Sequence, residues 1–526
     1  MSNKQAIKRN VLWNSAGLAV EVATGFLILP FLIARLGNEM YGIWLILGSL
    51  TVYLSMLELG VRGSIGRHIS LYHAREDQTN VNRTLTAGTV LLFCAGAIIF
   101  LALIAAEQFF FRLYPAPDGT HAHVALTYRL MAANIAVILI GTAFDAALWG
   151  YQRFDWINAV DIPFSLIRTV LTLSLVHSDK DITTLGFITL SLWTASTLCK
   201  AFLTFRADPK LRVGTCHLSK SSFRELLGYG SWNVIATFAR LSRTQLAPIF
   251  LGSYLSLAIV PVYAIAARLV AATVAAMNAA TGVLTPHATS LHATNQTDRQ
   301  RQLLIIGSRY STTFGIFITA YLFILGAPLI ALWVGPDFSS AATLLTILIL
   351  GESLPCTQYV TNGIILATAR HRTLAVFALL EAIAICVIMV ALLPSLGLIG
   401  AGLALAVPAF FTRGVAPLIQ GCRITGVPVI QYLKQAIAPP ILCAVIPAVA
   451  LKIAIASHPA TSWLTFVTYS TTYTALFALC LCGTISNKKE RLSNLRAGAL
   501  TWLSRSARRK KSKTIPARIN QTTDAP

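Results

Sequence analysis

The chain has 526 residues, of which 55% are hydrophobic and only 12% charged, with a mean hydropathy of +0.67. A water-soluble body needs roughly a quarter of its residues charged, so composition excludes a soluble globular protein. The formal net charge of +22 sits in loops and one tail, with no basic groove interleaved with aromatics, so a nucleic-acid partner is excluded too.

A helix needs about 20 mostly apolar residues to cross the hydrocarbon core. In chain order the apolar runs predict spans near 11–34, 40–61, 85–106, 124–149, 157–176, 183–203, 229–252, 257–285, 303–333, 341–367, 374–393, 398–420, 435–455 and 464–485. These runs are too long for the strands of a membrane barrel, which take roughly ten residues. The expected fold class is therefore all-α, a polytopic membrane protein of about 14 transmembrane helices by this length rule. Lys4, Lys8 and Arg9 precede a long first run without a small-x-small cleavage site, which reads as an uncleaved first span.

The gaps between spans alternate in charge. One set holds Arg62, Arg67, Arg75 and Arg83, then Arg153, then Arg206, Lys210, Arg212, Lys220 and Arg224, then Arg299 and Arg301, then Arg370 and Arg372, then Arg423 and Lys434. The opposite set holds little beyond Arg35, Arg112 and Lys180. Cytoplasmic loops retain Lys and Arg, so the basic set, and both termini with it, are expected in the cytoplasm. The tail from Asn487 carries Arg508, Arg509, Lys510, Lys511 and Lys513, with Leu492, Leu495, Trp502 and Leu503 among its charges, and suits a surface segment binding anionic lipid.

Two related halves are visible. Tyr41 opens a span ending in a polar loop with Ser70, Leu71 and His73; Tyr263 opens one ending in Ser290, Leu291 and His292. The next spans close with Phe111-Arg112-Leu113-Tyr114-Pro115 and Leu332-Trp333-Val334-Gly335-Pro336. The expected organisation is an N-terminal six-helix lobe (1–203), a cytoplasmic linker (204–228), a C-terminal six-helix lobe (229–420), two additional helices (421–486) and the basic tail (487–526). Repeats with an even number of helices keep one orientation and place a cavity between them. The cysteines show no metal spacing and no disulfide framework: seven lie in or beside spans, and Cys216 and Cys422 fall in expected cytoplasmic loops.

Gly37-Asn38-Glu39-Met40-Tyr41-Gly42-Ile43-Trp44 followed by Leu57-Glu58-Leu59-Gly60, Leu332-Trp333-Val334-Gly335-Pro336-Asp337-Phe338, and Gly397-Leu398-Ile399-Gly400-Ala401-Gly402 together resemble polysaccharide-export flippases of the MOP (multidrug/oligosaccharidyl-lipid/polysaccharide) superfamily. The resemblance covers nearly the whole chain to about residue 485. It implies two six-helix lobes in a V with two extra helices, and movement of an undecaprenyl-diphosphate-linked oligosaccharide across the bacterial inner membrane for O-antigen, capsule or exopolysaccharide. The lobes would work by alternating access, with the polymerase and export machinery as partners. Lipid II flippases and drug/cation antiporters are relatives, so the fold alone leaves the substrate open. A MATE-like multidrug/cation antiporter is the alternative, then a membrane-embedded glycosyl transferase or polymerase.

Ionisable groups deep in a span face a cavity or a partner. Arg240 and Arg243 lie mid-way along the seventh span, on a polar stripe with Asn233, Thr237 and Thr244, and Arg268 lies at similar depth in the eighth. Guanidinium forks bind phosphate oxygens bidentately, so these arginines, with Asn233 and Thr237, are the candidate diphosphate and sugar site. The alternative pairs them with the intramembrane carboxylates. Those carboxylates, Glu21, Asp145, Asp161, Glu352 and Glu381, are candidate ion-coupling sites or counter-ions. Pro30 and Gly25 would let the first helix bend. No catalytic residue, metal site or cofactor is expected. Asp179-Lys180-Asp181 matches D-x-D but lies in a short outward loop, His121 and His123 are outward-loop residues without a third ligand, and there is no P-loop.

The charge alternation sets a topology test. Reporter fusions should give cytoplasmic signal at Lys210 and periplasmic signal at Ala456; the reverse pattern at either position would overturn the span count.

Overall fold

The computed structural model describes residues 3–58, 60–178, 181–228, 231–282, 284–368 and 371–486. The expected basic tail, 487–526, lies outside the described residues, as do the side chains of Glu21, Asn233 and Arg240. Among the described residues every regular element is a helix.

Helix α1 (Asn3–Ser55) contains the first two expected spans and is broken at Gly37 (φ 74°, ψ 169°). An unbroken helix of its 53 residues would run about 80 Å, over twice the ~30 Å hydrocarbon core. Only glycine adopts such a φ freely. A 3-10 turn and Gly60 lead into α2 (Val61–Ala74), then α3 (Gln78–Ala105), whose N-terminus is capped by the Asp77 carboxylate accepting from the Asn80 N–H at 3.1 Å. Next come α4 (Glu107–Leu113), α5 (His121–Gly150), α6 (Phe154–Leu175) and α7 (Ile182–Ala207). The short α8 (Lys220–Gly228) leads to α9 (Ser231–Tyr254), α10 (Ile259–Thr281), α11 (Leu284–Ala293) and α12 (Thr297–Gln302).

A π-helical turn joins α12 to α13 (Ser308–Trp333), and a 3-10 turn at Pro355 splits one expected span into α14 (Ser339–Ser353) and α15 (Tyr359–Ala367). Helix α16 (His371–Ala409) contains two expected spans broken at Gly397 (φ 53°). The chain doubles back there: a Cβ on Gly400 would fall 2.4 Å from the Leu392 carbonyl oxygen, which a straight helix would hold about 12 Å away. A π turn precedes α17 (Ala416–Thr425), and α18 (Val429–Tyr432), α19 (Ala438–Ser457) and α20 (Trp463–Ser486) complete the described chain.

Eleven segments among the described residues are long and apolar enough to cross a membrane. Two of them, Ala23–Ser55 and Arg372–Thr425, contain the breaks at Gly37 and Gly397, and α9 is not among the eleven. The protein is thus an all-α, multi-pass membrane protein, while the expected fourteen crossings exceed what length and hydropathy alone count.

The buried side chains form separate cores. One gathers the turns at one end of the bundle, from Leu36 and Met40 through Tyr114, Val176 and Leu257 to Phe338 and Leu393, and unites both halves of the chain. At the other end the halves part. Val61, Ile65, Leu85, Ala146 and Leu226 form one core, and Ala288, Leu304, Ile364, Leu418 and Tyr432 another. A fourth, Leu325 with Ala444, Tyr473 and Phe477, seats α19 and α20 on α13.

The internal repeat is reproduced in backbone detail. Glu76 and Asn295, 219 positions apart, both take positive φ (58° and 51°). Around them the same bonds recur: Asp77 N–H to the Tyr72 carbonyl at 2.9 Å, and Gln296 N–H to the Leu291 carbonyl at 3.0 Å. Two loop assignments are corrected. Cys422 is buried within α17, where it packs in the core around Leu418. His121 and His123 lie in the first turn of α5, and His121 packs on Phe111 with ring centroids 4.4 Å apart.

Gly351 lets α14 meet α16 backbone to backbone, since a Cβ there would fall 2.6 Å from Ala406 Cα. Overpacking of this kind costs about 1–3 kcal/mol. Gly351→Ala should lower the midpoint of thermal unfolding in detergent, whereas Gly48→Ala, with nothing within 4 Å, should leave it unchanged or raise it.

Candidate functional site: the charged interior

Each half of the chain contains a cation clamped between two carboxylates. In the N-terminal half Lys200 on α7 donates to Asp145 on α5 at 3.0 Å and to Asp161 on α6 at 2.8 Å. Arg62, at the start of α2, pairs with the other Asp145 oxygen. Lys200 and Asp145 are only 7% and 9% exposed. An ammonium at such a site is stable only with its charge matched.

In the C-terminal half Arg413 is the cation. Its Nε donates to Glu381 at 2.9 Å and its Nη1 to Glu352 at 2.9 Å, with Nη2 on the second Glu352 oxygen. Arg413 therefore grips Glu352 bidentately, the strong form of this pair. Arg413 sits in the π-helical turn Phe410–Val415. Glu352 lies in the last turn of α14, shortly before the 3-10 turn Pro355–Gln358. Both irregular turns interrupt the α-helical ladder where these charges meet, and π turns recur at functional sites. The two clusters correspond: carboxylates on the fourth and fifth expected spans of each half, and a cation on the sixth.

Four of the candidate ion-coupling or counter-ion carboxylates are thus already paired, and their partners are not the arginines singled out from the sequence. Asp145, Asp161, Glu352 and Glu381 are held by Arg62, Lys200 and Arg413. The same rule that flags Arg240 would flag Arg413, a lone arginine inside the span 398–420. Lys200 is hidden by its place near the end of its span, and Arg62 by its place in a basic loop.

Helix α1 packs against α9 and α10 where the halves meet. The Arg268 guanidinium occupies a notch made by Gly25 of α1: a Cβ on Gly25 would fall 1.6 Å from Arg268 Nη2. Arg243 on α9 lies within electrostatic reach of Arg413, Glu352, Glu381 and Tyr359. Thr237, on the same helix, is half-buried. Arg240 and Asn233, like Glu21, have side chains outside the described residues. The structure therefore brings together Arg243 with the C-terminal cluster and Arg268 with α1. Of the D-x-D motif only Asp181 is among the described residues. Asp179 and Lys180 lie outside the described residues, and the Asp181 carboxylate accepts from the backbone N–H groups of His177 at 2.7 Å and Ser178 at 2.9 Å. An array of guanidinium groups without an adjacent nucleophile and base can bind and orient an anion.

Removing Arg413 would leave Glu352 and Glu381 facing each other without their cation, at a cost of about 3–5 kcal/mol. Arg413→Met should therefore sharply reduce the folded protein recovered from membranes. Adding Glu352→Gln and Glu381→Gln should restore much of it, as read by size-exclusion chromatography in detergent. Failure of the triple variant to recover would show that the cluster does more than balance charge.

Comparison with known proteins sets these features in a family. A profile of the family described as polysaccharide biosynthesis protein matches residues 7–292. A Shigella flexneri protein named as an O-antigen transporter is 25% identical over 234 residues, 44% of this chain and 54% of the relative, so the chain spans about half the length of that relative. Among solved structures, the lipid II flippase MurJ in an inward closed conformation superposes with a TM-score of 0.67 at 11% identity, covering 91% of this chain and 99% of that one. An inward-facing multidrug resistance MATE transporter of the MOP superfamily gives 0.64 at 14% identity, covering 80% and 96%. At these identities the structures establish a shared fold, and the profile match over more than half the chain makes this protein a member of the polysaccharide biosynthesis protein family.

Proposed function

We propose that the protein is a flippase that carries an undecaprenyl-diphosphate-linked oligosaccharide from the cytoplasmic to the periplasmic leaflet of the bacterial inner membrane. It acts as a transporter and not as an enzyme, with both termini and the basic loops in the cytoplasm and fourteen crossings arranged as two six-helix lobes and two further helices. The observation that carries this reading is the family match over residues 7–292, with buried charged clusters in both halves of the fold beside it. The four described carboxylates at positions 145, 161, 352 and 381 are engaged by Arg62, Lys200 and Arg413. Arg243 on α9 lies within electrostatic reach of the Arg413, Glu352 and Glu381 cluster, Arg268 on α10 reaches α1 at Gly25, and Arg240 adds a further positive charge to α9 by sequence.

Arginines on the helices between the lobes suit a diphosphate. Two phosphate charges moving unpaired through hydrocarbon would meet a prohibitive barrier, and arginine forks lower it without covalent chemistry. The membrane potential assists, since one negative charge moving out of a negative interior gains about 2.3 kcal/mol per 100 mV. Family membership and the relative named as an O-antigen transporter support this substrate class. The MATE likeness supports the antiporter alternative only at the level of fold, and a cavity for cationic drugs would want carboxylates that here are engaged within the clusters.

Exchange of labelled lipid-linked oligosaccharide in reconstituted vesicles tests the proposal. The wild type should accelerate exchange, and Arg243→Ala should slow it at least tenfold at equal protein density. Arg243→Lys should recover part, because a point charge replaces a fork. Unaltered exchange by the alanine variant would remove Arg243 from the substrate path, and exchange of cationic drugs in place of the lipid would favour the antiporter.

A further inference from the structure

The two halves meet at one atom that the sequence itself leaves short of a partner. In an α-helix the carbonyl of residue 26 accepts from the N–H of residue 30. Residue 30 is Pro30, which has no N–H. The Phe26 carbonyl is therefore deprived of its α-helical donor in a setting where hydrocarbon offers no replacement. The replacement comes from the other half of the chain: the Trp333 indole Nε1, at the end of α13, donates to the Phe26 carbonyl oxygen at 3.0 Å. The Trp333 ring also packs on the Phe26 ring, with centroids 4.7 Å apart.

The neighbouring residue completes the seat. Gly25 offers no side chain, and the Arg268 guanidinium of α10 fills that space. Two further contacts close the same end of the bundle. The Tyr114 hydroxyl donates to the Ile249 carbonyl at 3.0 Å, and Gly42 approaches Leu257 so closely that a Cβ would fall 2.1 Å from its carbonyl oxygen. These contacts belong to the one core that unites the halves.

We infer that Pro30 and Trp333 form a latch: the proline frees a carbonyl on α1, and the indole N–H from the opposite half captures it only when the halves are closed at this end. Trp333 is a positioning residue. Opening this end breaks the bond, so the latch biases the protein towards closure at this end whatever substrate it carries. Ring packing alone would not have this property, because a phenylalanine at 333 would pack on Phe26 without satisfying its carbonyl.

The test is a double-mutant cycle on the full chain in nanodiscs without substrate. Nitroxide labels on p-acetylphenylalanine introduced at Asp118 and Asp337, exposed positions 219 apart near this end, report the separation of the halves by pulsed electron resonance. Trp333→Phe in the wild-type background should raise the ratio of open to closed molecules about tenfold, as expected for a part-buried carbonyl left without its donor in the closed form. In the Pro30→Ala background, where residue 30 again has an N–H for the Phe26 carbonyl, the same Trp333→Phe change should shift the ratio less than twofold. Hydrogen exchange of α1 peptides gives a second reading: Trp333→Phe should speed exchange around 26–36 with Pro30 present and not with Pro30→Ala. Equal shifts in both backgrounds, or no shift in either, would overturn the latch. Should Trp333→Phe alone fail to fold, recovery of folded protein by adding Pro30→Ala supports the latch, and failure to recover overturns it.

Discussion

The structure depends on one constraint: charge and backbone polarity inside hydrocarbon must be matched within the protein. Lys200 between Asp145 and Asp161, and Arg413 between Glu352 and Glu381, are its main expression. Each cation comes from the sixth expected span of its half and reaches the fourth and fifth. Three helices that would otherwise be held only by packing against chemically similar lipid are thereby pinned to one another. Breaking any one pair exposes an unmatched charge, so each trio of helices is suited to move as a unit.

The same matching determines what remains at the seam. In the C-terminal half Arg413 meets two carboxylates, and Arg243 of α9 lies within electrostatic reach of the same group. Arg268 of α10 fills the notch that Gly25 leaves in α1. The cores follow the same plan, being shared at one end of the bundle and separate at the other.

Much of this was legible in the sequence. The apolar runs located the helices because a hydrocarbon core about 20 residues deep leaves little freedom, and the gaps they left after 34 and 393 hold the breaks at Gly37 and Gly397, where a positive φ selects glycine. The polar loops at His73 and His292 disclosed a repeat that the backbone reproduces at Glu76 and Asn295. The pairing of charges was not legible. Asp145 lies 55 positions from Lys200, and Glu352 lies 61 from Arg413; helical periodicity relates residues within one span and says nothing about which spans adjoin. The interruptions at Leu303–Gly307, Phe410–Val415 and Leu433–Ile437 were invisible for a related reason. A π turn is one residue of excess within a helix, and nothing in hydropathy distinguishes it.

Trp333 shows the limit from the other side. Its motif reads as a helix end, where α13 does stop, and Pro30 reads as a place that would let a helix bend. What links them is that a missing donor at Pro30 and a spare donor at Trp333 lie 303 residues apart in a 526-residue chain and meet only in the folded protein. A proline in a transmembrane helix is usually weighed by the bend it permits. Here the freed carbonyl matters as much as the bend, because it is an acceptor that the chain must satisfy and can satisfy from the opposite half. A contact of that kind can be made and broken without desolvating a charge, which is why it suits a joint that has to open, whereas the carboxylate clusters suit the parts that have to stay together.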